Sequence, residues 1–350
     1  MFENYINYVH PTFSLNGEKL DVLGLKIKAK TLVLSPNSFE KKLGELIFEW
    51  FDTNNFTEIS TSGTTGTPKK IQISKQAMIA SALATSQYFK IYQQAKALHC
   101  LPVQYIAGKM MFIRAIILGW DLVYVEPSSE PMKNLSINFD FVAMVPLQVE
   151  NSINKLHLIK NIIIGGAKIN SNLREQLLNA STNVYETYGM TETVTHIATK
   201  LVSETNFKAL PNVFFKVDHR DCLVIHAPHV TDEIVVTNDI VELINEFEFV
   251  WKGRADNVIN TGGVKIFPEK VEEKLDFYIK SRFFVAGIPD QRLGFKLILV
   301  VEGDYVDYNF ATIKELSKFE IPKEIYFIKK FLETETAKIK RAEMIKLLTL

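Results

Sequence analysis

Cysteine is scarce. The 350-residue chain has two, Cys100 and Cys222, far apart in sequence. No disulfide framework and no zinc ribbon can be built from them, which fits a reducing, cytoplasmic setting. Excess charge of either sign is missing too, since 40 Lys and Arg balance 40 Asp and Glu. That argues against a protein held to nucleic acid by bulk charge, because such binding rests on a basic face that neutralises phosphates. Long apolar runs are absent. The most apolar stretch, residues 110–125, is broken by Arg114 and Asp121. It falls short of the roughly 20 apolar residues a spanning helix needs, so no membrane partner is expected. The first residues lack the basic and apolar regions of a secretory leader. There is no internal repeat and no low-complexity tract. What the chain does have is apolar material, 47% of its residues, enough for a sizeable core. Its length suggests about two domains.

From about residue 59 the pattern alternates strand and helix. Apolar runs at 71–73, 97–101, 122–125, 141–145 and 161–164 are separated by helical stretches at 74–89, 106–118 and 170–180, with Ser74 as a candidate cap. This alternation predicts a buried, largely parallel sheet with helices on its faces. Residues 1–55 offer less: a short apolar run at 32–34 and a helix over 38–51 that Ser38 caps. Residues 213–251 read as a β-rich subdomain, with short strands at 222–226, 233–237, 240–244 and 247–251 and turns at Asn238-Asp239 and Asn245-Glu246. After Asp256 the pattern changes again. Pro268 stands at a helix start, strands follow at 283–286 and 297–301, and a helix falls near 310–318. The boundary at about residue 256 leaves a small α+β unit behind it.

The strongest local signal is the run of residues 60–70, STSGTTGTPKK. Glycines let backbone approach a ligand closely, and successive N–H groups form an anion nest. Its hydroxyls donate to phosphate oxygens and its lysines add mobile positive charge. It does not fit the Walker A spacing, and by composition alone it is equally a flexible Ser/Thr/Gly loop. Further on, residues 185–193 read YETYGMTET, after a Gly165-Gly166-Ala167 turn. Tyr188 offers a face for a purine, Gly189 permits close backbone approach, Thr191 can donate to a phosphate, and Glu192 is a hard oxygen ligand suited to Mg²⁺. Either glycine turn alone is ordinary.

Together these segments resemble the signatures of the adenylate-forming superfamily, the AMP-forming acyl-CoA synthetases and adenylation domains. The resemblance runs over about residues 55–346. It implies an α/β fold with a large N-terminal adenylate-forming domain, residues 1–255, abbreviated at its start, and a small mobile C-terminal lid, residues 256–350. It implies that Thr61, Ser62, Gly63, Thr64, Thr65, Gly66 and Lys69 hold the ATP phosphates. Gly165, Gly166, Ala167, Thr187, Tyr188, Gly189 and Met190 would lie along the adenine, with Thr191 on the α-phosphate and Glu192 on Mg²⁺. Asp239, in Thr237-Asn238-Asp239 where the family has Thr-Gly-Asp, would hold the ribose. Arg254 would meet ribose or phosphate, Asp256 would be the hinge, and Gly262 and Gly263 would line the path of CoA. Near the end, residues 334–341 resemble the family's catalytic-lysine motif, with Lys338 in the lysine's place and Ala337 where Gly is usual.

The resemblance implies two steps: a carboxylic acid attacks the α-phosphate of ATP, and the CoA thiol then takes the acyl group. Compact bacterial o-succinylbenzoate–CoA ligases of menaquinone synthesis are most similar, on residues 101–111 and 189–198, with Tyr105 where many relatives have His. That acid carries a second carboxylate, whose burial needs a cation. Lys109 is the first candidate and Arg114 the second. Two rivals stand beside this reading. One is an adenylating enzyme that loads a carrier protein in trans. The other is a nucleotide-binding protein without turnover, against which Lys338, Glu192 and Asp256 together argue. His219, His226 and His229 lack an acidic or Cys partner at ligand spacing and are not read as a metal site.

Overall fold

A computed structural model describes residues 7–60, 70–333 and 339–348. Its main body is a 13-stranded mixed sheet. The centre is parallel, in the order Asp121–Tyr124, Lys96–His99, Phe139–Met144, Ile159–Ile164 and Asn183–Gly189. The first four fall on predicted apolar runs, whereas the pattern does not predict Asn183–Gly189 as a strand; the nearly continuous burial of Lys96–His99, Phe139–Met144 and Ile159–Ile164 is what a sheet covered on both faces demands. Among the predicted runs, residues 71–73 are the exception. They belong to Lys70–Ser74, which pairs antiparallel with Phe56–Ser60 in a separate two-stranded hairpin.

The helix Ile106–Leu118 forms where its sequence predicts. From Gly108 to Leu118 every residue is buried, because the helix lies between the sheet and the helix Lys75–Phe89. Phe112 within it is fully buried and meets Phe13 edge-on at 6.4 Å. Truncating such a ring to Ala costs about 3–5 kcal/mol. Ser74 does stand at the start of Lys75–Phe89, but its side chain makes no capping bond. The helix Ser38–Trp50 is capped one residue earlier than expected, by Asn37, whose side chain accepts from Phe39 N and Glu40 N. The helix Val22–Val33, which takes in the first two residues of the apolar run at 32–34, escapes the sequence pattern. Its apolar residues face both ways: Leu25, Ala29 and Leu32 are buried while Leu23 and Ile27 are exposed.

The β-rich segment does not stand apart. Past Asn183–Gly189 the same sheet turns antiparallel and runs on through His196–Leu201, Phe207–Ala209, Glu248–Arg254, Val235–Asn245, Cys222–His226 and Phe214–Val217. The two strands expected at 233–237 and 240–244 are one, Val235–Asn245. Asn238-Asp239 is therefore not a turn, and Asn238 is not at positive φ. A register shift between Ile240 and Val241 absorbs the irregularity.

A second sheet begins at Ile259. It takes the order Val264–Ile266, Ile259–Thr261, Gly294–Glu302, Phe283–Asp290, with Glu324–Ile328 parallel beside Gly294–Glu302. It has its own buried cluster around Val271, Leu275, Val285 and Leu299. Pro268 occupies the first turn of Pro268–Leu275, as read. The helix expected at 310–318 shrinks to one 3₁₀ turn, Phe310–Thr312. Among the described residues no helix is long and apolar enough to cross a membrane.

Candidate active site

A cleft of about 320 Å³ opens beyond the carboxyl ends of the parallel strands. Leu101 follows Lys96–His99, Met144 and Val145 end Phe139–Met144, Gly165 and Gly166 follow Ile159–Ile164, and Thr187 and Gly189 end Asn183–Gly189. The strand Lys96–His99 has Asp121–Tyr124 on one side and Phe139–Met144 on the other. The chain order thus reverses there, at the switch point where open α/β sheets bind ligands.

Of the sequence-predicted residues, Arg114, Gly165, Gly166, Thr187, Gly189, Met190 and Thr191 line this cleft. Thr187 Oγ1 donates to Ile164 O at 3.0 Å, which ties two strand ends together. Gly189 has a packing reason of its own: a Cβ there would sit 2.2 Å from Thr195 O. Ala167 and Glu192 are exposed. Glu192 has no partner among the described residues. No cluster of three metal-ligating side chains occurs among them either. A single solvated carboxylate suits Mg²⁺ that takes its other ligands from phosphate and water.

Tyr188 points to the other side of its strand and builds a second cluster. Its hydroxyl donates to Asp239 Oδ2 at 2.7 Å, Trp251 Nε1 donates to Asp239 Oδ1 at 3.1 Å, and Arg254 Nη1 lies 3.6 Å from the same oxygen. Arg254 Nη2 also reaches Asp256 at 3.2 Å. Burial and the neighbouring Asp239 carboxylate push the Tyr188 phenol far above its ordinary pKa, so it stays a donor. Each Asp239 oxygen keeps a lone pair for a further donor. Trp251 was not singled out in the sequence, which gave it only a place at the end of the strand read over 247–251.

The two cations proposed for a substrate carboxylate part company. Lys109 does not reach the cleft. It is buried and pairs with Glu49 at 2.5 Å, because its place on the helix faces the helix Ser38–Trp50 instead. Tyr105, half-exposed at the helix start, does not line the cleft. Arg114 does line it. It is 2% exposed and donates to Thr85 Oγ1 at 3.2 Å and Thr195 Oγ1 at 3.0 Å, with His196 Nδ1 at 3.4 Å. No carboxylate meets it among the described residues. Burial lowers its pKa to about 9. Burial and the adjacent guanidinium push His196 well below its usual value, so its ring is neutral.

Thr195 and His196 are cleft residues that sequence reasoning left without a role. Val194 presents them. It sits at φ 64°, ψ −57°, and Thr195 N donates to Thr193 O at 2.7 Å, a γ-turn with positive φ on a β-branched residue. Such strain gathers at ligand sites.

The run Thr61–Lys69 and Lys338 lie outside the described residues. Their flanks do not. The hairpin Phe56–Ser60/Lys70–Ser74 brackets the first. A bridge between Glu333 and Ile339 brackets residues 334–338, and Arg341 just beyond grips Glu272 with two bonds of 2.8 and 2.9 Å. Gly262 and Gly263, at φ 55° and 81°, form a tight turn between Ile259–Thr261 and Val264–Ile266.

The fold and cleft define an α/β protein that takes a small ligand at the ends of its parallel strands. The AMP-binding enzyme family matches residues 54–233, just over half of the chain, and the chain belongs to that family of adenylate-forming enzymes. An acyl-CoA synthetase (AMP-forming)/AMP-acid ligase II-like protein from Dyadobacter fermentans is 37% identical, with 92% of this chain and 98% of that one covered and a TM-score of 0.62. The 2-succinylbenzoate–CoA ligase of Staphylococcus epidermidis is 26% identical over 81% of this chain and 68% of its own length. The O-succinylbenzoate coenzyme A synthetase of Bacillus subtilis, solved with ATP and magnesium ion, is 20% identical and shares the fold at a TM-score of 0.71, over 83% of this chain and 69% of that one.

Proposed function

We propose that this chain is an ATP-dependent acid–CoA ligase whose acid is an aromatic dicarboxylate of the 2-succinylbenzoate kind. The observation that carries the acid's identity is Arg114. A guanidinium whose partners among the described residues are all neutral, buried at the wall of a cleft, is costly unless a carboxylate joins it. A dicarboxylic acid provides one there and leaves the other free to react. The similarity to 2-succinylbenzoate–CoA ligases supports the same choice.

In this reading Thr61–Lys69 cradles the β- and γ-phosphates, while Gly165, Gly166 and Ala167 flank the adenine and Tyr188 orients the Asp239 carboxylate from the other side of its strand. Asp239 and Arg254 take the ribose side. The reacting carboxylate attacks the α-phosphorus, pyrophosphate leaves in line, and acyl-AMP forms. Thr191 and the Lys338 ammonium stabilise the charge gathering on the α-phosphate. Glu192 would hold Mg²⁺, which neutralises phosphate charge when bound. Residues 256–350 then turn about Asp256, and Lys338 leaves. The CoA thiolate, entering past Gly262 and Gly263, attacks the acyl carbonyl and AMP departs. Two arrangements share one site, so motion is part of the chemistry.

The test is pyrophosphate release with 2-succinylbenzoate, benzoate, medium-chain fatty acids and amino acids, each with and without CoA. The expected result is 2-succinylbenzoate first, with a CoA thioester as product. Equal turnover of a simple fatty acid removes the dicarboxylate reading. Pyrophosphate release with no thioester formed on free CoA favours a carrier-loading enzyme.

A further inference from the structure

Lys109 reaches toward the phosphate-loop hairpin instead of the cleft. Among the described residues that hairpin has two strands, so the far edge of Phe56–Ser60 meets no third strand there. At its middle, Glu58 N donates to Glu49 Oε1 at 3.3 Å, while Lys109 Nζ donates to Glu58 O at 3.4 Å. Lys109 and Glu49 are themselves joined at 2.5 Å, with the Lys109 side chain only 6% exposed. The ion pair therefore grips both backbone groups of one residue, Glu58, two positions before the strand's last residue, Ser60. The base of the hairpin is fixed in the same manner. Lys75, fully buried, pairs with Asp52 at 2.6 Å, and its N–H donates to Asn55 O at 2.8 Å.

Lys109 and Arg114 belong to one helix, Ile106–Leu118, which also lends Ile106 and Ala107 to the cleft. One rigid element thus touches the acid's site on one side and the phosphate loop's strand on the other. We propose that the Lys109–Glu49 pair is a positioning device: it holds the strand entering residues 61–69 in register with the helix that carries Arg114, so that triphosphate and acid are presented to each other. The proposal rests on the reading that residues 61–69 take the ATP phosphates. It gives Lys109 a part in ATP binding although it touches no substrate.

The experiment compares wild type with Lys109→Met, Lys109→Arg and Glu49→Gln by calorimetric binding of ATP and, separately, of 2-succinylbenzoate. Hydrogen exchange over residues 56–60 is followed in each protein. Displaced positioning groups commonly cost one to two orders of magnitude, so Lys109→Met and Glu49→Gln should weaken ATP about tenfold or more. Binding of 2-succinylbenzoate alone should shift by less than about twofold, exchange at 56–60 should rise, and Lys109→Arg should restore ATP affinity. If Lys109→Met does not fold, Glu49→Gln, which keeps the side chain's shape, decides alone. Unchanged ATP affinity in a folded variant overturns the proposal, as does equal weakening of both ligands. A wild-type protein that binds no ATP sinks the underlying reading of the loop as well, and that outcome is told apart by the wild-type arm.

Discussion

Arg114→Lys keeps a positive charge but loses the planar fork that reaches Thr85 and Thr195 at once. A single ammonium cannot hold those partners and a carboxylate in one geometry. The expected outcome is a fall of about 10²-fold in kcat/KM for 2-succinylbenzoate, with benzoate changed little. Pyrophosphate-release kinetics on both acids check it, and parallel losses on both would assign Arg114 to the fold alone. Gly189 is a second residue whose role is local. A methyl group there would sit 2.2 Å from Thr195 O and 2.6 Å from His196 Cα, both backbone. Gly189→Ala should therefore destabilise the protein by at least about 2–3 kcal/mol, read by urea unfolding. Neither reason was legible beforehand. The glycine was read as room for a ligand, and Lys109 was ranked above Arg114. Which lysine meets a glutamate sixty positions back is decided by tertiary neighbours, and no local pattern carries that information.

Elements were legible where one period dominates. The helix Ile106–Leu118 and the strand Cys222–His226 fall where the apolar pattern puts them. The strand Val235–Asn245 was split because Asn238-Asp239 has turn chemistry, yet pairing to both neighbours overrides it. The helix Val22–Val33 was missed because its exposed Leu23 and Ile27 blur the stripe. The turn at Gly262 and Gly263 shows how two demands fall on one motif. Both residues are at positive φ, as a two-residue type I′ hairpin requires. Asn satisfies the first turn position equally well, so Gly262→Asn should leave the melting temperature within about 2 °C of wild type. The proposed path for CoA is another matter, since a side chain would now stand in it. Adenylate formation should hold while thioester formation slows about tenfold or more. A thioester step as fast as wild type would leave the glycines to the turn alone.

At the scale of the molecule, the sequence announced a large sheet-based body and a change of pattern near residue 256, and the second sheet begins at Ile259. It did not announce that the β-rich stretch extends the main sheet, because strand order is set by long-range pairing. If residues 256–350 swing as proposed, Lys338→Ala should abolish adenylate formation yet spare thioester formation from supplied acyl-AMP. A variant that adenylates normally would refute the lysine's role. The fold also sets how the molecule meets acid. His99 lies fully buried against Phe39, its ring nitrogens have no hydrogen-bond partner among the described residues, and burial lowers its pKa from 6.5 to about 3. His10, His196 and His229 are lowered too, chiefly by burial. At His99 the unfolded chain takes up a proton as pH falls through 6.5, while the native chain does so only near pH 3. This part of the stability is therefore fully present above pH 6.5 and is lost progressively below it, with His99 alone accounting for about 1.4 kcal/mol per pH unit down to about pH 3. Urea unfolding at pH 7, 6 and 5 should show this slope. His99→Phe, which replaces two unpartnered nitrogens with carbon, should flatten it by about one proton's worth. An unchanged slope in a folded His99→Phe protein would mean that the imidazole is protonated in place.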